Sequence, residues 1–125
     1  MNVPDLLTIL CRFENGAEGV LEFSGIDALA PGDRLEVYGD AGTMTYDFGS
    51  DTVHAGRNGD RALHPVEITP DLEDSWHVED DFIAAVKSKG RVRPRPDFEE
   101  GVRYMRVVQA VADSRDRNEW VEIRR

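Results

Sequence analysis

The residues most able to do chemistry lie together at the start of a predicted helix, in the run His77-Val78-Glu79-Asp80-Asp81. On a helix, His77 and Asp81 share a face because residues four apart are neighbours, so an imidazole and a carboxylate could hold a metal ion there. Acidic residues in a first helical turn are also favoured by the helix dipole alone. We therefore expect ordinary helix electrostatics at this position and predict no metal site.

The other reactive side chains stand alone in the sequence. Cys11 is the only cysteine, and its place in an alternating apolar run indicates a small hydrophobe rather than a reactive thiol. His54 and His64 lie in weakly patterned segments and are expected to be solvated. Trp76 precedes the helix beside an acidic loop, which is typical of a core anchor, with a ligand platform as the alternative.

Motifs that would indicate a self-contained enzyme are missing. The 125 residues contain no G-x-G-x-x-G, no phosphate-binding G-x-x-x-x-G-K-[ST] and no H-E-x-x-H. A Ser-His-Asp or Cys-His arrangement cannot be argued from spacing, because such groups meet only in three dimensions. The local pattern favours a binding or structural domain, and we assign no catalytic, cofactor-binding or metal-binding residue from it.

One hairpin dominates the elements that must position these side chains. Residues 34–38 and 43–48 alternate between apolar and polar types, with the period of two that a half-buried strand pair requires. Gly39-Asp40-Ala41-Gly42 makes the turn. We expect the glycines at its two ends to supply positive φ.

Weaker patterns predict the remaining strands. Residues 7–14 and 17–24 read as a hairpin with a type I′ turn at Asn15-Gly16, and residues 25–33 as a loop. Residues 49–61 are predicted to be a mobile hairpin or loop in which only 52–54 suggests a strand. Pro65 places a strand over 62–69 at a sheet edge, and residues 120–123 read as a last short strand.

Two helices follow residue 76. In the first, Val78, Phe82, Ala85 and Val86 recur at helical spacing, and Gly90 is expected to end it in the left-handed conformation. The second begins at a capping box of Asp97 and Glu100 and ends at Asn118. Its apolar stripe is formed by Phe98, Val102, Met105, Val108, Val111 and Ala112. Gly101 inside it would be explained by a close approach to the sheet.

These elements predict an α+β fold in one domain over residues 1–125. It comprises a single, mostly antiparallel sheet of about six strands with two main helices packed on one face, and the other face is open for oligomerisation. Fifteen basic against 25 acidic residues give a net charge of −10, which disfavours binding to nucleic acid or anionic membranes. Neither a signal peptide nor a membrane-spanning run is apparent, so we expect a soluble, cytoplasmic protein.

Four ordered motifs carry a resemblance to a known family: residues 13–19 (Phe-Glu-Asn-Gly-Ala-Glu-Gly), 35–44 (Leu-Glu-Val-Tyr-Gly-Asp-Ala-Gly-Thr-Met), 81–86 (Asp-Phe-Ile-Ala-Ala-Val) and 96–104 (Pro-Asp-Phe-Glu-Glu-Gly-Val-Arg-Tyr). In this order and spacing, the chain resembles the C-terminal domain of the Gfo/Idh/MocA family of NAD(P)-dependent sugar and inositol oxidoreductases. The resemblance runs over nearly the whole chain. It implies an open antiparallel sheet whose bare face pairs subunits.

The resemblance also implies what the 125 residues do not hold. They contain neither the Rossmann domain, nor the Glu-Lys-Pro segment with the usual catalytic lysine, nor the Asp-x-x-x-His pair that in the family normally precedes the first hairpin. We therefore expect no cofactor in this chain, with NAD(P) implied for the full-length family member, and no catalysis by this chain alone. By resemblance, Asp27, Trp76 and His77 lie on the substrate side and are the candidates for sugar or polyol binding.

Two functional interpretations follow. The first is a substrate-side and oligomerisation domain of a sugar or polyol dehydrogenase, which forms a homo-oligomer through the open sheet face. The alternative is a stand-alone interaction or small-ligand (sugar) binding module of the same fold that pairs with a separate Rossmann-domain subunit.

Overall fold

A computed structural model describes residues 4–73 and 75–124 and confirms the α+β class, with two helices and six strands in this part of the chain. The described residues form two units, one of residues 4–10 and 20–73 and the other of residues 11–19 and 75–124. The elements are β1 (Leu6–Arg12), β2 (Glu18–Ser24), β3 (Arg34–Tyr38), β4 (Gly42–Asp47), β5 (Thr52–Arg57), β6 (His64–Pro65), α1 (Val78–Lys87) and α2 (Phe98–Arg117).

The six strands lie in two sheets rather than in the single predicted sheet. β1 and β2 pair with each other, and a second sheet has the order β3-β4-β5-β6. The chain leaves β2 at Ser24, whose hydroxyl accepts hydrogen bonds from the backbone N–H groups of Ile26 and Asp27. This local turn ends the strand, and the loop over residues 25–33 follows it as predicted.

The register of the four-stranded sheet separates an apolar face from a polar one. Leu35 lies opposite Tyr46 and Val37 opposite Met44, and β5 continues the same face with Val53 and Ala55. Because directly opposed residues share a face, the other side carries mainly hydroxyl, carboxylate and other polar groups. Its residues are Arg34, Glu36, Tyr38, Thr43, Thr45, Asp47, Thr52 and His54. We call the first side the apolar sheet face.

The turn between β3 and β4 is closed as predicted, but its glycines have a different role. Gly39 N–H donates to the Gly42 carbonyl over 2.9 Å, and neither glycine has positive φ. Gly42 instead permits a close approach of β4 and β5, because a Cβ added there would stand 2.1 Å from the Gly56 carbonyl oxygen. Asn58 secures the same turn, since its backbone N–H and side-chain amide donate to the carbonyls of Ala41 and Asp40.

The region predicted to be a mobile hairpin or loop contains a full strand. β5 pairs along its whole length with β4, and Asp60 closes the next turn by accepting from the Arg57 N–H over 2.7 Å. The strand predicted over 62–69 shrinks to His64–Pro65 at the sheet edge. The edge position of Pro65 is confirmed and follows from its missing N–H.

The first hairpin turns by a different geometry from the predicted type I′. Only Gly16 has positive φ, at 87°, and its N–H donates to the Phe13 carbonyl over 2.9 Å. Phe13 N–H donates to the Ala17 carbonyl, and the Asn15 side chain accepts from the Ala17 N–H. This arrangement is a three-residue loop with one left-handed glycine, so Asn15 acts through its side chain rather than its backbone.

Helix α2 ends as predicted, with Asn118 left-handed at φ 54°. Helix α1 ends one residue earlier than predicted, because Lys89 after the cap Ser88 is already left-handed at φ 55°, and Gly90 follows at φ 79°. The Asp97 carboxylate accepts from the Glu100 N–H while the Glu100 carboxylate accepts from the Asp97 N–H, which confirms the capping box. Within the described residues, and apart from its chain neighbours and the backbone of its own helix, no atom lies within 4 Å of a Cβ built on Gly101, and the close approach to the sheet stays a prediction. The packing of the helices on a sheet stays a prediction.

No strand forms over residues 120–123, because this segment joins neither sheet. Side chains hold it instead. The Trp120 ring lies 5.9 Å from the Arg12 guanidinium carbon, in cation–π geometry, and Arg106 donates to the Arg124 carbonyl. Arg12 also pairs with Glu18 at 3.0 Å, so one guanidinium contacts both β2 and the C-terminal segment.

Apolar side chains remain largely uncovered. No side chain in the described ranges is buried. On the apolar sheet face, Leu35 is 52%, Val37 46% and Met44 43% exposed. A contiguous exposed apolar surface of this kind suits contact with another surface.

Candidate functional site

The start of α1 presents an exposed indole with polar groups on either side. Trp76 is 77% exposed, and its Nε1–H donates to Glu79 Oε2 over 2.6 Å. This bond fixes the ring orientation and leaves its faces accessible. Ser75 Oγ and His77 Nε2 are hydrogen-bonded at 2.8 Å. An aromatic face beside hydroxyl and imidazole groups suits a ligand with both C–H faces and hydroxyls, such as a sugar.

His77 occupies the residue that precedes α1. Its carbonyl accepts the Asp81 N–H over 2.9 Å, which begins the helical hydrogen bonding, and its side chain makes no capping bond. The imidazole is hydrogen-bonded to the Ser75 hydroxyl. Among residues 4–73 and 75–124, no group of three or more His, Cys, Asp or Glu side chains is arranged to hold a metal ion.

Asp27 lies in the other unit, in the loop after β2. Its backbone is fixed by the Ser24 hydroxyl over 3.2 Å, and its side chain is exposed. The same loop presents Ile26 and Leu29 to solvent, and Leu29 is left-handed at φ 61°. A non-glycine residue in this conformation is uncommon and costs free energy.

A hydrogen-bonded cluster lies on the polar side of the β3–β6 sheet. Tyr38 Oη–H donates to Glu36 Oε2 over 2.8 Å, and Arg34 Nε–H donates to Glu36 Oε1 over 2.9 Å. Both donors favour the charged carboxylate, Tyr38 more strongly, and lower the pKa of Glu36. The same bond raises the pKa of Tyr38, because it stabilises the protonated phenol beside a carboxylate.

A second cluster lies at the turn between β4 and β5. Asp47 Oδ1 accepts from the backbone N–H and from the hydroxyl of Ser50, and these bonds lower the pKa of Asp47. Tyr46 Oη–H donates to Asp51 over 2.7 Å, which raises the pKa of Tyr46. The first cluster lies along the exposed polar side of β3, and the second, with Tyr46 and Asp47 half-buried, stabilises the turn after β4.

Comparison with protein families decides the identity. The sequence model described as the oxidoreductase family, C-terminal alpha/beta domain, matches residues 1–123. The chain belongs to the Gfo/Idh/MocA oxidoreductase family. Comparison with curated proteins gave no match. Comparison with solved structures gave none either.

The described part of this Gfo/Idh/MocA domain does not fit a dinucleotide. A Rossmann site places a glycine-rich turn between a parallel strand and a helix, so that the helix N-terminus faces the phosphates. The ladders of the β3–β6 sheet are antiparallel, and α1 follows Ser75, Trp76 and His77 rather than a glycine-rich turn. No step involving NAD(P) is therefore derived from these residues.

Sequence reasoning named Trp76 and His77 as candidates but did not name the groups that orient them. Glu79 holds the indole from three residues away, and Ser75 holds the imidazole from two. The spacing of Trp76 and Glu79 on a helix start was the available signal, because residues three apart are neighbours there. In the described ranges no helix is both long and apolar enough to cross a membrane.

Proposed function

We propose that this chain is the substrate-side and oligomerisation domain of an NAD(P)-dependent sugar or polyol dehydrogenase of the Gfo/Idh/MocA family and is not catalytic on its own. The observation that carries the proposal is the exposed apolar sheet face, in a chain that matches the family's C-terminal domain. NAD(P) would be held by a Rossmann domain, since no residue described in this chain forms such a site.

The oligomerisation role rests on the register of the β3–β6 sheet. Leu35, Val37, Met44, Tyr46, Val53 and Ala55 share one face across three strands. Covering this face with the same face of a second copy would make a two-fold, self-complementary contact in which each apolar strand residue meets another. Burial of apolar surface would supply the free energy of association.

The substrate-side role rests on the start of α1. Trp76 offers a free indole face, and His77 and Ser75 offer polar groups beside it. Asp27, in the other unit, has an exposed side chain and is a substrate-side candidate by the family resemblance alone. The same observation favours the second candidate function, a stand-alone sugar-binding or interaction module that pairs with a separate Rossmann-domain subunit.

Sedimentation equilibrium of the purified chain, with and without a panel of sugars and inositols, separates the two candidates. A dimer or tetramer whose association constant is unchanged by the ligands supports the oligomerisation domain. A monomer that binds a sugar, with binding lost in Trp76→Ala, supports the stand-alone module. A monomer that binds none of the panel contradicts both the oligomerisation role and the sugar-binding role.

A further inference from the structure

Helix α1 has a second exposed face besides its apolar stripe. Asp80, Ile83, Ala84 and Lys87 follow the spacing i, i+3, i+4 and i+7, so they lie on one face of the helix, and all four are exposed. Ile83 is 47% exposed. The opposite side of α1 carries the apolar stripe of Val78, Phe82, Ala85 and Val86.

The Ile83 face is self-complementary in charge. Asp80 lies one turn before Ile83 and Lys87 one turn after it, and neither forms an ion pair with another residue of the described ranges. If two copies of α1 pack antiparallel about a two-fold axis between Ile83 and Ala84, Asp80 of each copy meets Lys87 of the other. Ala84 at the axis permits helices to approach closely, at the usual 8–10 Å between axes.

The charges along the sequence around α1 have the same direction as Asp80 and Lys87, with acidic residues at its start and basic residues at its end. Residues 71–81 contain six acidic side chains and no lysine or arginine, whereas residues 87–95 contain five basic side chains and no acidic one. Residues 1–86 carry four basic and 18 acidic side chains, while residues 87–125 carry 11 basic and seven acidic ones. An antiparallel pair of α1 helices brings the acidic end of one copy to the basic end of the other, which steers the encounter.

From this face we propose a second contact between copies of this chain, in which α1 packs antiparallel on α1 of another copy through Asp80, Ile83, Ala84 and Lys87. It is separate from the contact on the apolar sheet face. The two together would give an assembly with two different two-fold axes.

Charge exchange tests the pairing. Asp80→Lys and Lys87→Asp each place like charges across the contact, so each variant alone should lose the α1 contact, and assembly beyond the sheet-face dimer should be at least about tenfold weaker than in the parent. An equimolar mixture of the two variants restores unlike charges at both ends and should associate as the parent does. The double variant, which keeps the net charge of the parent, should also associate, and its association should weaken as salt is added.

Disulfide cross-linking detects the α1 contact independently of the contact on the apolar sheet face. In a Cys11→Ser background, Ala84→Cys should form a cross-linked dimer under mild oxidation, whereas Gln109→Cys on α2 should not. Circular dichroism confirms that each variant keeps its helices. The proposal is overturned if the charge-exchanged mixture associates no better than its components, or if the Ala84 and Gln109 variants cross-link equally. A monomeric chain whose Ala84 variant still cross-links would contradict the sheet contact alone.

Discussion

Gly42, opposite Arg57 in the register of β4 and β5, lies so close to Gly56 that a Cβ on Gly42 would stand 2.1 Å from the Gly56 carbonyl oxygen and 2.9 Å from Arg57 Cα. Both obstacles are backbone atoms, which cannot rotate away. Gly42→Ala should therefore push β4 and β5 apart and lower the free energy of unfolding by about 2 kcal/mol. Urea unfolding at fixed protein concentration measures the change. Gly39→Ala is the control, because a Cβ there meets only one atom at 3.7 Å and φ is not positive.

An alanine at Gly101 should have the opposite effect on stability. Gly101 lies in the first turns of α2, and within the described residues no atom apart from its chain neighbours and its own helix backbone is within 4 Å of a Cβ built on it. Gly101→Ala should raise the free energy of unfolding by about 0.5–1 kcal/mol, because alanine loses less backbone entropy in a helix. Gly90→Ala should lower it, since Gly90 has φ of 79°. A destabilising Gly101→Ala would indicate that another surface packs against α2 at this glycine.

The start of α2 depends on its capping box. Asp97→Ala removes the acceptor for the Glu100 N–H and should cost about 1 kcal/mol of unfolding free energy. Asp97→Asn keeps an acceptor oxygen and should recover most of the loss. Amide hydrogen exchange of the first turn of α2 should speed up in the alanine variant only. Equal protection in all three proteins would contradict a role for this cap.

The polar sheet face should make stability depend on pH in the acid range. The pKa of Glu36 is lowered by the Tyr38 hydroxyl and then by Arg34, and the pKa of Asp47 is lowered by Ser50. A group whose pKa is lower in the folded state contributes stability above its unfolded pKa, and this is lost as pH falls through the folded pKa. Tyr38→Phe should therefore move the Glu36 pKa upward, toward its ordinary value. Carboxyl NMR titration measures both groups, with Asp47 unchanged as the control.

The local features of the fold were the most predictable from sequence. Asp97 and Glu100 form the predicted capping box and Asn118 ends α2 in the left-handed conformation, because capping depends on residues a few positions apart. Pro65 lies at the sheet edge for an equally local reason, its missing N–H.

The wrong predictions concern features that depend on residues far apart in the sequence. Gly42 was expected to supply positive φ, yet its role comes from Gly56 on the neighbouring strand, which no local pattern reveals. The length of β5 depends on pairing with β4 rather than on its own weak propensity. Residues 120–123 have strand-forming side chains but no partner strand. Of the candidate site, Trp76 and His77 were placed on the helix start from sequence, and their role with Asp27 stays a proposal.

The measurement that tests the central proposal most directly is sedimentation equilibrium of the chain beside a variant of its apolar sheet face. The variant combines Leu35→Thr with Val37→Thr. Threonine forms β-strands well, has nearly the shape of valine and is smaller than leucine. The two changes remove apolar surface from side chains that are 52% exposed at Leu35 and 46% exposed at Val37. Thr45→Lys on the polar face is the control, and circular dichroism checks that each variant folds. We expect the parent and the Thr45 variant to associate and the apolar-face variant to associate at least about tenfold more weakly, since about 1.4 kcal/mol of lost burial suffices for that change. Association of the apolar-face variant as strong as that of the parent would contradict the proposal.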